Sequence, residues 1–150
     1  MPFPVPSEPV QRRKPRILLA EDSRADVLLV REALDAHNLD VELMVKRDGG
    51  DVLAEIERMD AGDVACPDLM LLDLNLPRHN GETLLARIRA SAVCGQMPVI
   101  VVTSSDAARD RQMASRLRAS AYFRKPSDFD EFMRLGELVR ELLGIAHRPH

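Results

Sequence analysis

The sequence predicts an α/β fold: one parallel sheet wound on both faces with helices. Leu69–Leu72 and Val99–Val102 are unbroken apolar runs. Such runs read as strands covered on both sides, the situation of a parallel sheet. Short runs of this kind alternate with segments of helical spacing, which means βαβ units joined by right-handed crossovers. Strand after strand also stops at a polar group. Open α/β sheets bind ligands at the carboxyl edge of their strands.

In chain order, Arg16–Ala20 is a first short strand, stopping at Glu21-Asp22. Ser23-Arg-Ala-Asp26 resembles a capping box with a shortened acid and opens a helix to about His37. Val27, Val30 and Leu34 form its apolar side. Val41–Val45 makes the second strand and Asp48-Gly49-Gly50 a turn; a helix follows from about Asp51 to Met59. Asp68–Asp73 is the third strand, and Pro77 and Gly81 punctuate the loop behind it. Thr83–Ser91 is helical, with Leu84, Leu85 and Ile88 inward. Pro98–Thr103 is the fourth strand. Ser104-Ser105-Asp106 reads as the cap of a weakly apolar helix to about Leu117. Ala119–Arg124 is the fifth strand, ended by Lys125-Pro126, and a last helix runs from about Asp128 to Leu143.

At 150 residues, with 45% hydrophobic and 30% charged content, the chain has enough material for one soluble domain with a full core. Residues 16–144 are assigned to it, between a proline-rich, disordered leader at 1–15 and a short tail at 145–150. The net charge of −3 gives no reason to expect nucleic acid. No apolar run is long enough for a bilayer, and no signal-peptide core is present. Cys66 and Cys94 have no metal-site spacing, and read as ordinary small apolar residues in a reducing cytoplasm.

The first strand ends in Glu21 and Asp22, the third in Asp73, the fourth in Thr103 and the fifth in Lys125. A doubly wound sheet brings those ends to one rim. Three carboxylates together repel unless a positive charge sits among them, and an all-oxygen set suits a hard divalent cation such as Mg²⁺. A lysine and a hydroxyl beside them suit phosphoryl oxygens. The cluster therefore reads as a place where Asp73 accepts a phosphoryl group.

Glu21-Asp22, Asp73-Leu-Asn-Leu-Pro-Arg-His-Asn-Gly81, Thr103-Ser104 and Tyr122-Phe-Arg-Lys125-Pro126 together resemble the CheY-like receiver domain of two-component response regulators. The resemblance covers about Arg16 to Leu143. It implies a flavodoxin-like fold of strand order 2-1-3-4-5. It further implies Asp73 as phospho-acceptor, and Mg²⁺ held by Glu21, Asp22, Asp73 and the backbone carbonyl of Asn75. Thr103 and Lys125 would take the phosphoryl oxygens, Thr103 and Tyr122 would form a switch, and the bond preceding Pro126 would be cis, a form that only X-Pro makes cheap. The Asp-Leu-Asn-Leu-Pro run and Lys-Pro-Ser-Asp-Phe-Asp-Glu-Phe are similar to single-domain receivers paired with bacterial phytochrome histidine kinases. Such a kinase is the implied partner, with an unidentified protein downstream.

Each residue also has a plainer reading. An isolated Thr103 is a strand-end hydroxyl capping a helix, an isolated Lys125 a surface lysine, and an isolated Tyr122 a half-buried core residue. None of these explains an acid pair, an acid, a hydroxyl and a lysine on successive strand ends. A phosphohydrolase using an aspartyl-phosphate is the alternative. Its haloacid-dehalogenase form carries a second Asp two residues after the nucleophile, where this chain has Asn75. A nucleotide-binding domain lacks its Gly-rich phosphate loop.

With no output domain legible after Leu143, output is expected through another protein, through a second copy or by passing the phosphoryl group onward. On a wheel of about 100° per residue, Phe129, Phe132, Met133, Gly136, Val139 and Leu143 form one face of the last helix. Leu135, Leu138 and Leu142 widen it, which predicts a homodimer through that helix and the fifth strand.

Overall fold

The structure is a computed structural model that describes residues 13–144. Residues 1–12 of the leader expected at 1–15, and the tail at 145–150, lie outside the described residues. Five strands form one sheet: β1 Arg16–Ala20, β2 Glu42–Lys46, β3 Leu69–Leu72, β4 Val99–Thr103 and β5 Ala121–Arg124. All pairings are parallel, in the order β2-β1-β3-β4-β5. The helices are α1 Arg24–Ala36, α2 Gly49–Asp60, α3 Gly81–Arg89, α4 Ala108–Arg116, α5 Phe129–Phe132 and α6 Leu135–Leu143. No helix of the described chain is long and apolar enough to cross a membrane.

The alternation of side chains along a strand divides the core in two. Leu18, Met70, Leu72 and Val101 face α2, α3 and α4, packing with Ile56, Leu84 and Met113. Ile17, Leu19, Leu71 and Val102 face α1, α5 and α6, packing with Val30, Phe132 and Val139. β1, β3 and β4 are covered on both sides almost completely, which is why their sequences are apolar without alternation.

Local chemistry sets the helix starts. Ser23 and Asn80 accept backbone N–H bonds from Asp26 and Thr83, capping α1 and α3. Asp48 caps α2 through Asp51 N–H, so Gly49 and Gly50 belong to the helix rather than to a turn. For α4 the expected Ser104-Ser105-Asp106 cap is displaced: the helix starts at Ala108 with no side-chain cap on Ala107. Ser105 Oγ accepts from Ala107 N–H and donates to Asp110.

The last helix is broken. Met133 and Arg134 form a tight turn with ψ −17° at each, closed by i→i+3 bonds from Gly136 to Met133 and from Glu137 to Arg134. Residues in such a turn advance by about 120° instead of 100°, so one continuous wheel puts the residues beyond it out of phase. Leu135 is consequently fully buried in the protein's own core and cannot serve as an interface residue. Phe129, expected inward, is 52% exposed. Leu138 and Leu142 are half-buried against the α1–α6 cluster.

Cys66 and Cys94 are not separate small apolar residues; they form a disulfide, with Cα atoms 5.8 Å apart, inside the range that admits the bond. Linear spacing hides this pairing, because the α2–β3 and α3–β4 connections meet only when β3 and β4 pair. With the cysteines bonded, they give no argument for a reducing compartment.

Candidate functional site at the carboxyl rim

Glu21 follows the last residue of β1 and extends the ladder, its N–H bonding Lys46 O at 3.0 Å. Asp73 follows β3, its N–H bonding Ala20 O at 3.1 Å. Thr103 ends β4, and Lys125 follows β5 with its N–H on Thr103 O at 2.8 Å. The same ladder that builds the sheet thus carries these side chains to one edge.

Lys125 Nζ donates to Glu21 Oε1 at 2.8 Å, to Asp73 Oδ2 at 2.8 Å and to Asp26 Oδ2 at 2.6 Å. The second oxygens of the two buried acids meet backbone donors. Asn75 N–H reaches Asp73 Oδ1 at 2.9 Å, and Ser23 N–H reaches Glu21 Oε2 at 3.1 Å. Glu21, Asp73 and Thr103 are buried, while Asp22 is exposed at the mouth. Carboxylate oxygens of Glu21, Asp22 and Asp73 lie within 4.8 Å of one another. Burial pushes Glu21 up to about 7, against the pull of Lys125 and the Ser23 N–H, with Asp73 adding repulsion. For Lys125, burial alone would favour the neutral amine, but the bonds to Asp26, Asp73 and Glu21 outweigh it and hold the ammonium above the ordinary lysine value.

Asp26 is the residue that sequence reading missed. In a complete capping box its carboxylate would return to Ser23 N–H. Here Glu21 Oε2 takes that N–H, so only half of the box forms and the Asp26 carboxylate turns to Lys125. A second acid four residues after Asp22, on the first turn of a helix that starts at the rim, was the signal available.

The structure brings Glu21, Asp22, Asp73 and Lys125 together; Thr103 stands on the adjoining strand end. Tyr122 lies opposite Val101 on β5. Its hydroxyl donates to Ser105 O at 2.9 Å, and the Arg111 guanidinium sits 4.3 Å from its ring centre. The Lys125–Pro126 bond is trans, since the described chain has no cis peptide, which corrects the expected cis form. X-Pro bonds favour trans by about 0.5–1 kcal/mol, and Lys125 reaches its three carboxylates with that isomer.

The donor set fits a hard divalent cation. Every candidate ligand is an oxygen, and the positive charge that meets Glu21 and Asp73 is the Lys125 ammonium. Gly81 is needed beside it: a Cβ there would stand 2.7 Å from Leu74 Cα, so α3 could not pack under the loop behind Asp73.

Residues 17–135 match the family described as response regulator receiver domain. The response regulator Rcp1 of Synechocystis sp. is 34% identical over 120 residues, 79% of this chain and 82% of that protein. Among solved structures, the phosphorylated cyanobacterial phytochrome response regulator RcpA superposes with TM-score 0.79 at 29% identity, covering 92% of this chain and all of that one. The Mn²⁺-bound form of Rcp1 gives 0.78 at 31%, with 91% and 99% covered. The bacteriophytochrome response regulator RtBRR gives 0.72 at 33%, with 92% and 82% covered. With its parallel 2-1-3-4-5 sheet and its acidic rim, the chain belongs to the response regulator receiver domain family.

Proposed function

We propose that the protein is a phosphorylation-dependent signalling module in which Asp73 takes a phosphoryl group from the phosphohistidine of a sensor histidine kinase. The observation that carries the reading is the convergence of the Asp73 carboxylate with Lys125 Nζ at 2.8 Å beside two further rim acids. An Asp73 oxygen attacks phosphorus as the phosphorus–nitrogen bond to the kinase imidazole breaks, leaving an acyl phosphate on Asp73. Glu21, Asp22, Asp73 and the backbone carbonyl of Asn75 would hold Mg²⁺, which when bound neutralises charge on the transferring group. Lys125 and Thr103 are the assigned partners of the phosphoryl oxygens. Asn75 N–H fixes one oxygen of the Asp73 carboxylate and so orients the nucleophile. Transfer of this kind asks mainly for positioning and charge stabilisation, which these groups supply.

A kinase of the bacterial phytochrome class is the proposed donor, a reading supported by the relatives RcpA, Rcp1 and RtBRR. Thr103 and Tyr122 are the proposed switch: a Thr103 hydroxyl drawn to phosphate would bias the Tyr122 ring, whose release requires breaking its bond to Ser105 O. A homodimer through the last helix and β5 is the proposed output, resting now on Leu138 and Leu142 alone.

The deciding experiment is transfer of labelled phosphate from a kinase or from acetyl phosphate in Mg²⁺. Asp73→Asn is expected to abolish labelling while its circular dichroism matches the wild type. Label retained on the folded variant at the wild-type rate would sink the assignment.

A further inference from the structure

Lys125 directs its ammonium at three carboxylates, and the proposed reaction claims two of them. Asp73 becomes an acyl phosphate, and Glu21 is one of the three residues whose oxygens converge as candidate cation ligands. Asp26 is not one of those three. It stands on the first turn of α1, 2.6 Å from Lys125 Nζ, and its N–H is already held by Ser23 Oγ at 3.2 Å. Because Glu21 satisfies Ser23 N–H, no cap contact competes for the Asp26 carboxylate. A lysine ammonium is a compact charge on a flexible four-carbon stem. When Glu21 and Asp73 turn to other partners, that stem needs a fixed point if its remaining N–H groups are to meet phosphoryl oxygens.

We propose that Asp26 is a positioning residue for phosphoryl transfer, the anchor that keeps the Lys125 ammonium over the site when Glu21 and Asp73 are engaged elsewhere. The proposal rests on the reading of Asp73 as acceptor. It assigns α1 a direct part in the chemistry: its first turn holds the lysine that follows β5, across 99 residues of sequence. Asp26 touches neither phosphorus nor cation. It acts through Lys125, so its loss should slow transfer without weakening the cation site.

The test compares wild type, Asp26→Asn, Asp26→Glu and Asp73→Asn, with acetyl phosphate as donor at saturating Mg²⁺. Asp26→Asn is expected to be phosphorylated about tenfold more slowly, the scale set by the rotamer freedom of an unanchored lysine. Asp26→Glu, which keeps a carboxylate, should recover most of the rate. Mg²⁺ affinity should be that of the wild type in both. The ¹⁵N ammonium resonance of Lys125, sharp in the Mg²⁺-loaded wild type, should broaden away in Asp26→Asn. A wild-type transfer rate in Asp26→Asn overturns the proposal, and so does a loss of rate matched by a weaker Mg²⁺ site in both variants, the mark of a merely structural role. Should Asp26→Asn fail to fold, the wild-type resonance decides: its disappearance on adding Mg²⁺ means that no anchor remains. Failure of the underlying reading looks different, because then the wild type itself takes no label, or Asp73→Asn keeps it.

Discussion

Burial of Glu21 makes the stability of the metal-free protein depend on pH near neutrality. The side chain is almost fully buried, and burial, with repulsion from Asp73, pushes it from 4.5 up to about 7 despite its bonds to Lys125 and the Ser23 N–H. Between those values the folded protein holds a proton that the unfolded chain has released. The stability linked to that proton is complete below the unfolded value and is lost as pH rises through 7, by up to about 3 kcal/mol. Urea unfolding in chelator should therefore show the wild type losing roughly 2–3 kcal/mol relative to Glu21→Gln between pH 5 and pH 8. A difference that stays constant across the range would contradict the buried-acid account. At this scale legibility followed the strand ends: Glu21, Asp22, Asp73 and Lys125 each sit where an expected strand stops. Asp26 escaped because a complete local explanation, the Ser23 cap, already accounted for it. Only the folded rim reveals that Glu21 takes over half of that cap.

Helix packing on the sheet shows the same limit one level up. Strand existence was readable from the apolar runs, and the start of α1 from its Ser23 cap. The break at Met133–Arg134 was not, since no Pro or Gly lies at the turn itself. What fixes it is tertiary. His37 Nε2 lies 3.0 Å from Met133 O, Arg140 bonds His37 O, and α6 approaches α1 closely at Gly136. A Cβ on Gly136 would stand 2.5 Å from Ala33 O as well as against the His37 ring. The ring could swing away; the carbonyl belongs to α1 and cannot. Gly136→Ala should therefore cost about 2–3 kcal/mol, in the range of overpacked cores, although alanine is the better helix former by about 1 kcal/mol. Denaturant midpoints measure it, and an unchanged or raised midpoint would show that α1 and α6 can separate freely. A Phe123–Phe132 edge contact, with ring centres 5.7 Å apart, packs α5 against β5.

Across the whole molecule the two rims of the sheet do opposite jobs. The carboxyl rim gathers the buried acids Glu21 and Asp73 around one ammonium, an arrangement that costs desolvation. The amino rim is built for fixation. Arg89 bonds the carbonyls of Gly95, Met97, Leu117 and Arg118 at 2.7–3.1 Å, tying together the segments that lead into β4 and β5. The Cys66–Cys94 disulfide joins the approach to β3 with the same α3–β4 segment, across 28 residues. Because Arg89 holds that segment without help from sulfur, breaking the disulfide should leave the folded geometry intact and act mainly by freeing the unfolded chain. Chain entropy for a loop of this size gives about 3–4 kcal/mol. Cys66→Ala with Cys94→Ala, or reduction with dithiothreitol, should lower unfolding free energy by roughly that amount, discounted for residual structure in the unfolded chain. The denaturant slope should rise, because an uncrosslinked chain exposes more surface. Transfer of phosphate to Asp73 should be unchanged, since the disulfide lies at the opposite end of β3. Equal midpoints for the oxidised and reduced protein would show that the cysteines contribute only as packed apolar side chains. A slowed transfer in a folded, reduced protein would instead show that the amino rim reports to the site through β3.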